Sequence, residues 1–193
     1  MKEKILFINA CVRENSRTLE LANCFLNKLN SDVIKIDLSR KNLQPLDNTL
    51  LTKRIDLISK NYFRDKMFEH AKIFSLAEII LIAAPRWDLS FPAILKIYIE
   101  NINVSGIVFK YNKFGKPETL CHAKKLFYVT TSGGKINFDF GFEYIKSVAQ
   151  EFYGIKNIFL IKAEGLDMKN SDTEKILSDA KNQIDNLFIN SLI

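Results

Sequence analysis

Three short polar stretches carry the side chains best suited to chemistry. The first, Asn15-Ser16-Arg17-Thr18, opens a helical pattern. Free backbone N–H groups and the helix dipole favour an anion at such a start. The Ser16 and Thr18 hydroxyls add donors and Arg17 adds a positive charge, so a terminal phosphate monoester suits this cup. A plain helix cap at Ser16 with a solvated Arg17 accounts for the same residues equally well. The second stretch, Pro85-Arg86-Trp87-Asp88-Leu89-Ser90-Phe91-Pro92, runs on into Ala93-Ile94-Leu95-Lys96. Trp87 offers contact to a planar ring. Asp88 and the backbone amides offer hydrogen bonds to a polar ring edge. The third, Thr131-Ser132-Gly133-Gly134, combines hydroxyls with two residues that let a flat ligand approach the backbone. Taken alone, this third stretch reads first as a turn.

Composition narrows the classes. At 193 residues the chain fits one domain, residues 1–193, able to bury a sizeable core. Its 47% hydrophobic and 26% charged residues are those of ordinary globular proteins. No apolar run approaches the ~18 to 20 residues that cross a bilayer. Met1-Lys2-Glu3-Lys4 leads into a short strand-like run without the features of a signal peptide. A cytoplasmic location without membrane partners is expected. The net charge is +6, but the lysines are scattered, with no long basic run and no nucleic-acid-binding motif. No nucleic-acid partner is therefore expected. Cys11, Cys24 and Cys121 are odd in number and widely spaced, so they form neither a disulfide framework nor a CxxC motif. With only His70 and His122 to help them, no metal site is expected. The loop of the first stretch holds no glycine, which disfavours both a GxGxxG dinucleotide fingerprint and a P-loop.

The elements that must position these stretches alternate as in βαβ units. Apolar and strand-like runs predict strands over residues 5–8, 79–83, 125–130 and 157–162, and an alternation of apolar and polar residues predicts a half-buried strand over 33–38. Apolar spacings of three and four predict helices over 18–29 and 142–152, and a closing helix over 172–191 capped by Ser171 or Asp172. Residues 51–76 read as helical with a break near Ser59-Lys60-Asn61, and Pro92 suits the first position of a further helix. Residues 106–115 read as an extended excursion or small hairpin. The whole predicts a doubly wound α/β fold, a five-stranded parallel sheet in the order 2-1-3-4-5 with helices on both faces. Ligands bind such sheets outside the carboxyl ends of the strands, near the switch in strand order. The three polar stretches follow strands one, three and four and meet there. A phosphate cup beside two ring-binding loops describes a flavin mononucleotide (FMN) pocket.

These residues resemble the FMN-dependent NADH:azoreductase family, related to the flavodoxin-like NAD(P)H:quinone oxidoreductases, over nearly the whole chain. The family carries Pro-x-(Tyr/Trp)-Asn-Phe-x-x-Pro-x-x-Leu-Lys, matched here by Pro85, Trp87, Pro92, Leu95 and Lys96. Phe109-Lys110-Tyr111 resembles the family's Phe-Arg-Tyr. Phe152-Tyr153-Gly154-Ile155 and Ala163-Glu164-Gly165 resemble further family stretches. The resemblance implies a flavodoxin-like fold, non-covalent FMN and a homodimer with both active sites at the interface. It also implies ping-pong transfer from NADH or NADPH, through flavin N5, to a quinone or azo compound, with no catalytic side chain. Residue by residue, it implies Cys11, Ser16, Arg17 and Thr18 around the ribityl phosphate. Pro85, Arg86, Trp87, Asp88 and Leu89 border the isoalloxazine, and Thr131, Ser132, Gly133 and Gly134 close its other edge. Tyr111 and Phe152 line the substrate cleft, one of them from the partner subunit.

Four positions depart from the family pattern. Asp88 replaces Asn, and an ionised carboxylate accepts hydrogen bonds but cannot donate them. Arg86 stands where Met is frequent, and is expected to pair with Asp88 or the ring. Cys11 replaces Ser, and Ile136 stands where some relatives carry His. Two other readings compete with the enzyme: a non-catalytic FMN carrier or redox sensor, and a flavin-free scaffold.

Overall fold

The strand sequences Ile5–Asn9 (β1) and Ile79–Ala83 (β3) are apolar on both faces, and every one of their residues is buried. Strands of this kind need helices on both sides, which parallel sheets supply. In the computed structural model, which describes residues 3–189, β1 and β3 indeed lie at the centre. They are joined by Val33–Asp37 (β2), Lys125–Thr131 (β6) and Asn157–Ala163 (β7) in one five-stranded sheet, ordered β2-β1-β3-β6-β7. All its pairings are parallel, with Ile5 beside both Val33 and Ile79, and Lys125 beside Ile79 and Asn157. Counting only these strands, the order is the expected 2-1-3-4-5.

Helices Arg17–Leu26 (α1) and Thr173–Ile189 (α6) cover one face, around Phe7, Leu21, Phe25, Leu81 and Phe127. Helices Glu69–Leu76 (α3), Ala93–Ile102 (α4) and Phe140–Glu151 (α5) cover the other, around Leu6, Ile8, Phe74, Leu95 and Tyr98. Helix Asn48–Ser59 (α2) packs Leu57 and Ile58 against this second core. The long helical stretch breaks where expected, with Asn61 in the left-handed region at φ 53°. A short 3-10 turn at Lys66–Phe68 then leads into α3. Asp172 caps the closing helix through Lys175 N. The expected end of that helix at 190–191 lies outside the described residues.

Boundaries differ from the sequence expectation by a few residues, as frayed ends usually do. Helix α1 stops at Leu26 rather than 29, because Lys28 N and Leu29 N close tighter turns onto Phe25 O and Leu26 O. Pro92 is the cap of α4 rather than its first residue. The excursion is an antiparallel hairpin, Phe109–Tyr111 (β4) with Pro117–Thr119 (β5). Its second strand was not anticipated, since Pro117-Glu118-Thr119 has no apolar signature.

Candidate cofactor site

The carboxyl ends of β1, β3, β6 and β7 are held in register beyond the strands themselves. Ala10 N donates to Ala83 O at 2.9 Å, Ala84 N to Val129 O at 3.0 Å, Arg86 N to Thr131 O at 2.9 Å and Ser132 N to Ala163 O at 2.9 Å. The loops therefore leave the sheet as one connected rim. Between them lies a cleft of about 190 Å³. Ser16, Arg17 and Thr18 come to it from the start of α1, Pro85, Arg86 and Trp87 from the loop after β3, and Thr131, Ser132 and Gly133 from the end of β6. The three polar stretches do meet, as the strand order requires.

Their hydroxyls are largely committed to holding the rim. Thr18 Oγ1 and Thr131 Oγ1 share a buried hydrogen bond of 2.6 Å, joining the first and third stretches. Ser132 Oγ donates to Gly134 O. Ser16 Oγ caps α1 by accepting from Leu19 N at 3.3 Å. What remains for an anion is the start of a ten-residue helix, the Arg17 guanidinium and the O–H of Ser16, whose cap bond uses Oγ only as an acceptor. Arg13 and Asn15 line the same cleft. This donor set suits a phosphate.

The middle stretch is built as a two-residue hairpin. Trp87 N donates to Ser90 O at 3.0 Å and Ser90 N to Trp87 O at 2.7 Å. Asp88 (φ 47°) and Leu89 (φ 69°) therefore occupy the left-handed region. Turns of this hand favour Asn and Gly, and a leucine there costs on the order of 1 kcal/mol. The geometry is set by the Trp87–Ser90 pair and the Arg86–Thr131 bond, an arrangement typical of strained functional loops. It lifts Asp88 and Leu89 to an exposed tip and leaves Trp87, 38% exposed, on the cleft. Arg86 does not pair with Asp88. Its Nη2 donates to Phe138 O at 3.4 Å, and its buried Nε has no partner among the described residues. Arg86 and Trp87 both line the cleft.

Several expected site residues lie elsewhere. Cys11 is buried, its thiol directed to Ala83 O at 3.7 Å, and burial pushes its pKa up to about 11. It shapes the loop, with its N–H donating to Asn9 Oδ1 at 3.0 Å, but does not line the cleft. Gly134 is exposed beside the cleft rather than in its lining. Tyr111 and Phe152 lie far from this cleft within the chain. Helix α4 starts at the rim and runs back along the sheet by about 15 Å, so the β4–β5 hairpin that follows it sits at the opposite end. There His122 N donates to Ser75 O and Lys124 N to Glu78 O, just before β3 begins. Phe152, at the far end of α5, packs edge-on against Phe109 at 4.9 Å, and Phe109 against Tyr111 at 5.3 Å. Within one chain neither Tyr111 nor Phe152 reaches the cleft.

One contribution was missed. The loop after β7 adds Leu166 and Asp167 to the cleft. Gly165 N, Leu166 N and Asp167 N donate to Gly134 O, Ser132 O and Gly133 O at 3.0, 3.2 and 2.9 Å, which zips this loop onto the third stretch. Glu164 pins the same junction by accepting from Ile136 N at 3.3 Å and pairing with Lys162 at 3.2 Å. Burial opposes its ionisation, yet these donors hold its carboxyl below the usual range. The signal was the position of Ala163-Glu164-Gly165 at the end of a sheet strand.

A larger groove of about 590 Å³ lies at the other end of the sheet, against Leu6, Ile34, Ile73 and Leu76. Lys4, Arg64, Asp65, Lys66, Glu69 and Lys72 line it together with these apolar residues, and it lies away from the carboxyl ends of the strands, where ligands bind such sheets.

Comparisons with known proteins bear on the family and the fold. The "FMN-dependent NADH:quinone oxidoreductase" of Clostridium perfringens is 33% identical over 181 residues, covering 89% of this chain and 91% of that protein. Its namesakes from Clostridium beijerinckii and Coprothermobacter proteolyticus are 34% and 30% identical, covering 92% and 95% of this chain and 93% and 97% of theirs. Among solved structures, an azoreductase from Bacillus anthracis superposes with a TM-score of 0.83 at 22% identity, over 96% of this chain and 98% of that one. An FMN-dependent NADH-azoreductase from the same organism, in complex with FMN, gives 0.80 at 22% identity, over 95% and 96%. The profile of the Flavodoxin_2 family, described as "Flavodoxin-like fold", matches residues 3–188, and the chain belongs to that family.

Proposed function

We propose that this chain, as a single flavodoxin-like domain, is an FMN-dependent oxidoreductase that takes electrons from NADH or NADPH and passes them to a quinone or azo compound. The observation that carries this reading is one cleft holding both Arg17, at a helix start, and Arg86 with Trp87, from the loop after β3. These groups fit the two ends of FMN. Arg17 and the first amides of α1 hold the phosphate. Trp87 and Arg86 orient the ring, and Thr131, Ser132 and Gly133 form the wall opposite. Bound FMN supplies reversible hydride-level redox chemistry at N5, so a ping-pong exchange is the kinetic expectation and no side-chain nucleophile is required.

At about 190 Å³ the cleft is smaller than the roughly 300 to 1,000 Å³ of typical small-molecule sites. A second copy closing over it supplies the missing wall. We therefore propose a homodimer in which Tyr111 and Phe152 both reach the cleft from the partner, since neither reaches it within its own chain.

The purified protein is expected to be yellow or to take up added FMN. Anaerobic mixing with NADH or NADPH is expected to bleach the flavin band, and a quinone to restore it. A flavin that binds but does not bleach would indicate the carrier or sensor, and a protein that refuses FMN would indicate the scaffold.

Asp88→Asn is expected to raise the potential of the bound flavin by on the order of 30 mV. It removes one negative charge from the ring side of the site. Asn also adopts the left-handed turn, so stability is expected to hold. A spectroelectrochemical titration showing an unchanged or lower potential would remove Asp88 from the ring environment.

A further inference from the structure

The cleft carries one acid among its bases. Asp167 Oδ1 lies 2.7 Å from Arg17 Nη2, and Arg17 Nη1 also reaches Leu166 O at 3.5 Å. Asp167 Oδ2 lies against the point where a Cβ on Gly133 would stand. The carboxylate thus occupies the space left by the absence of a side chain at 133. The backbone of Asp167 is fixed by its bond to Gly133 O, so the side chain alone can swing. Arg17 is its one salt-bridge partner among the described residues.

We infer that Asp167 is an internal stand-in for the FMN phosphate: it holds Arg17 in the cofactor-free protein and must release it when the phosphate enters. The inference rests on the FMN reading above. Both groups compete for the same guanidinium, and they repel each other within the same small cleft. The side chains of Arg17 and Asp167 are 34% and 64% exposed, and pairs so exposed are weakly held. A phosphate carrying about −1.5 to −2 charge displaces a single carboxylate. Asp167 keeps Arg17 engaged within the cleft and tempers the affinity for the cofactor.

Asp167→Asn keeps the side-chain size and removes the charge; Asp167→Ser serves as a second neutral variant. With apoprotein and flavin fluorescence as the readout, both variants are expected to lower the Kd for FMN by roughly three- to tenfold. The Kd for riboflavin, which has no phosphate, is expected to stay unchanged. Added salt should shrink the FMN difference between wild type and variants. An unchanged FMN Kd in both variants would overturn the proposal. So would weaker binding of both flavins, which would make Asp167 a ligand of the ribityl chain. If the wild type bound neither flavin, the FMN reading itself would fall, a result distinct from either of these.

Discussion

Arg17→Gln is expected to weaken FMN binding roughly 10- to 100-fold while leaving riboflavin binding unchanged. The neighbouring hydroxyls compensate only in part, because they carry no charge. One of Thr18 and Thr131 donates to the other, Ser132 donates to Gly134 O, and Ser16 caps α1 as an acceptor, which leaves its O–H to donate. Arg17 therefore carries the charge-assisted part of phosphate recognition, with the helix start as its background. Loss of its tie to Asp167 affects folding little, because both side chains are partly solvated. Fluorescence titration of the apoprotein with each flavin measures the effect. Equal loss for FMN and riboflavin would place Arg17 away from the phosphate. No loss for either would return it to the solvated role that the sequence left open.

Arg54→Met is expected to lower folding stability by about 3 kcal/mol and the melting temperature by about 6 to 12 °C. Arg54 projects from α2 and is only 8% exposed. Its Nη1 donates to Glu100 O at 2.8 Å and its Nη2 to Asn103 O, at the carboxyl end of α4. That end has no basic residue in its own last turn. The guanidinium from the neighbouring helix meets both the orphaned carbonyls and the negative end of the dipole. Burial lowers its pKa, but an arginine stays charged under ordinary conditions. Arg54→Lys is expected to recover only part of the loss, since one ammonium cannot reproduce the planar fork. Thermal unfolding followed by circular dichroism tests both variants. A Met variant within 1 °C of wild type would show that α4 needs no such cap.

The architecture was legible because its determinants are local. The apolar runs of β1 and β3 can only be buried on both faces. The spacing of Leu21, Ala22 and Phe25 leaves α1 one inward stripe. Once the strand order was inferred, the meeting of Arg17, Trp87 and Gly133 followed from topology. The Trp87–Ser90 hairpin was legible only as a shaped edge. Neither Asp88 nor Leu89 signals a left-handed turn as strongly as Asn-Gly would, so its geometry rests on its surroundings.

By itself, the sequence determined a parallel sheet wrapped by helices and the three stretches that gather at its carboxyl edge, because hydrophobic periodicity is a property of neighbours along the chain and the alternation of strands and helices limits the sheet to a few topologies. Only the tertiary structure decided which side chains are free to act. It turned the Cys11 thiol inward to Ala83 O, spent Thr18 on Thr131, sent Tyr111 and Phe152 to the far end of the sheet, and set Asp167 against Arg17. The Arg17–Asp167 pair joins residues 150 positions apart. No local pattern records such a contact, because it arises from the packing of the loop after β7 onto the loop after β6.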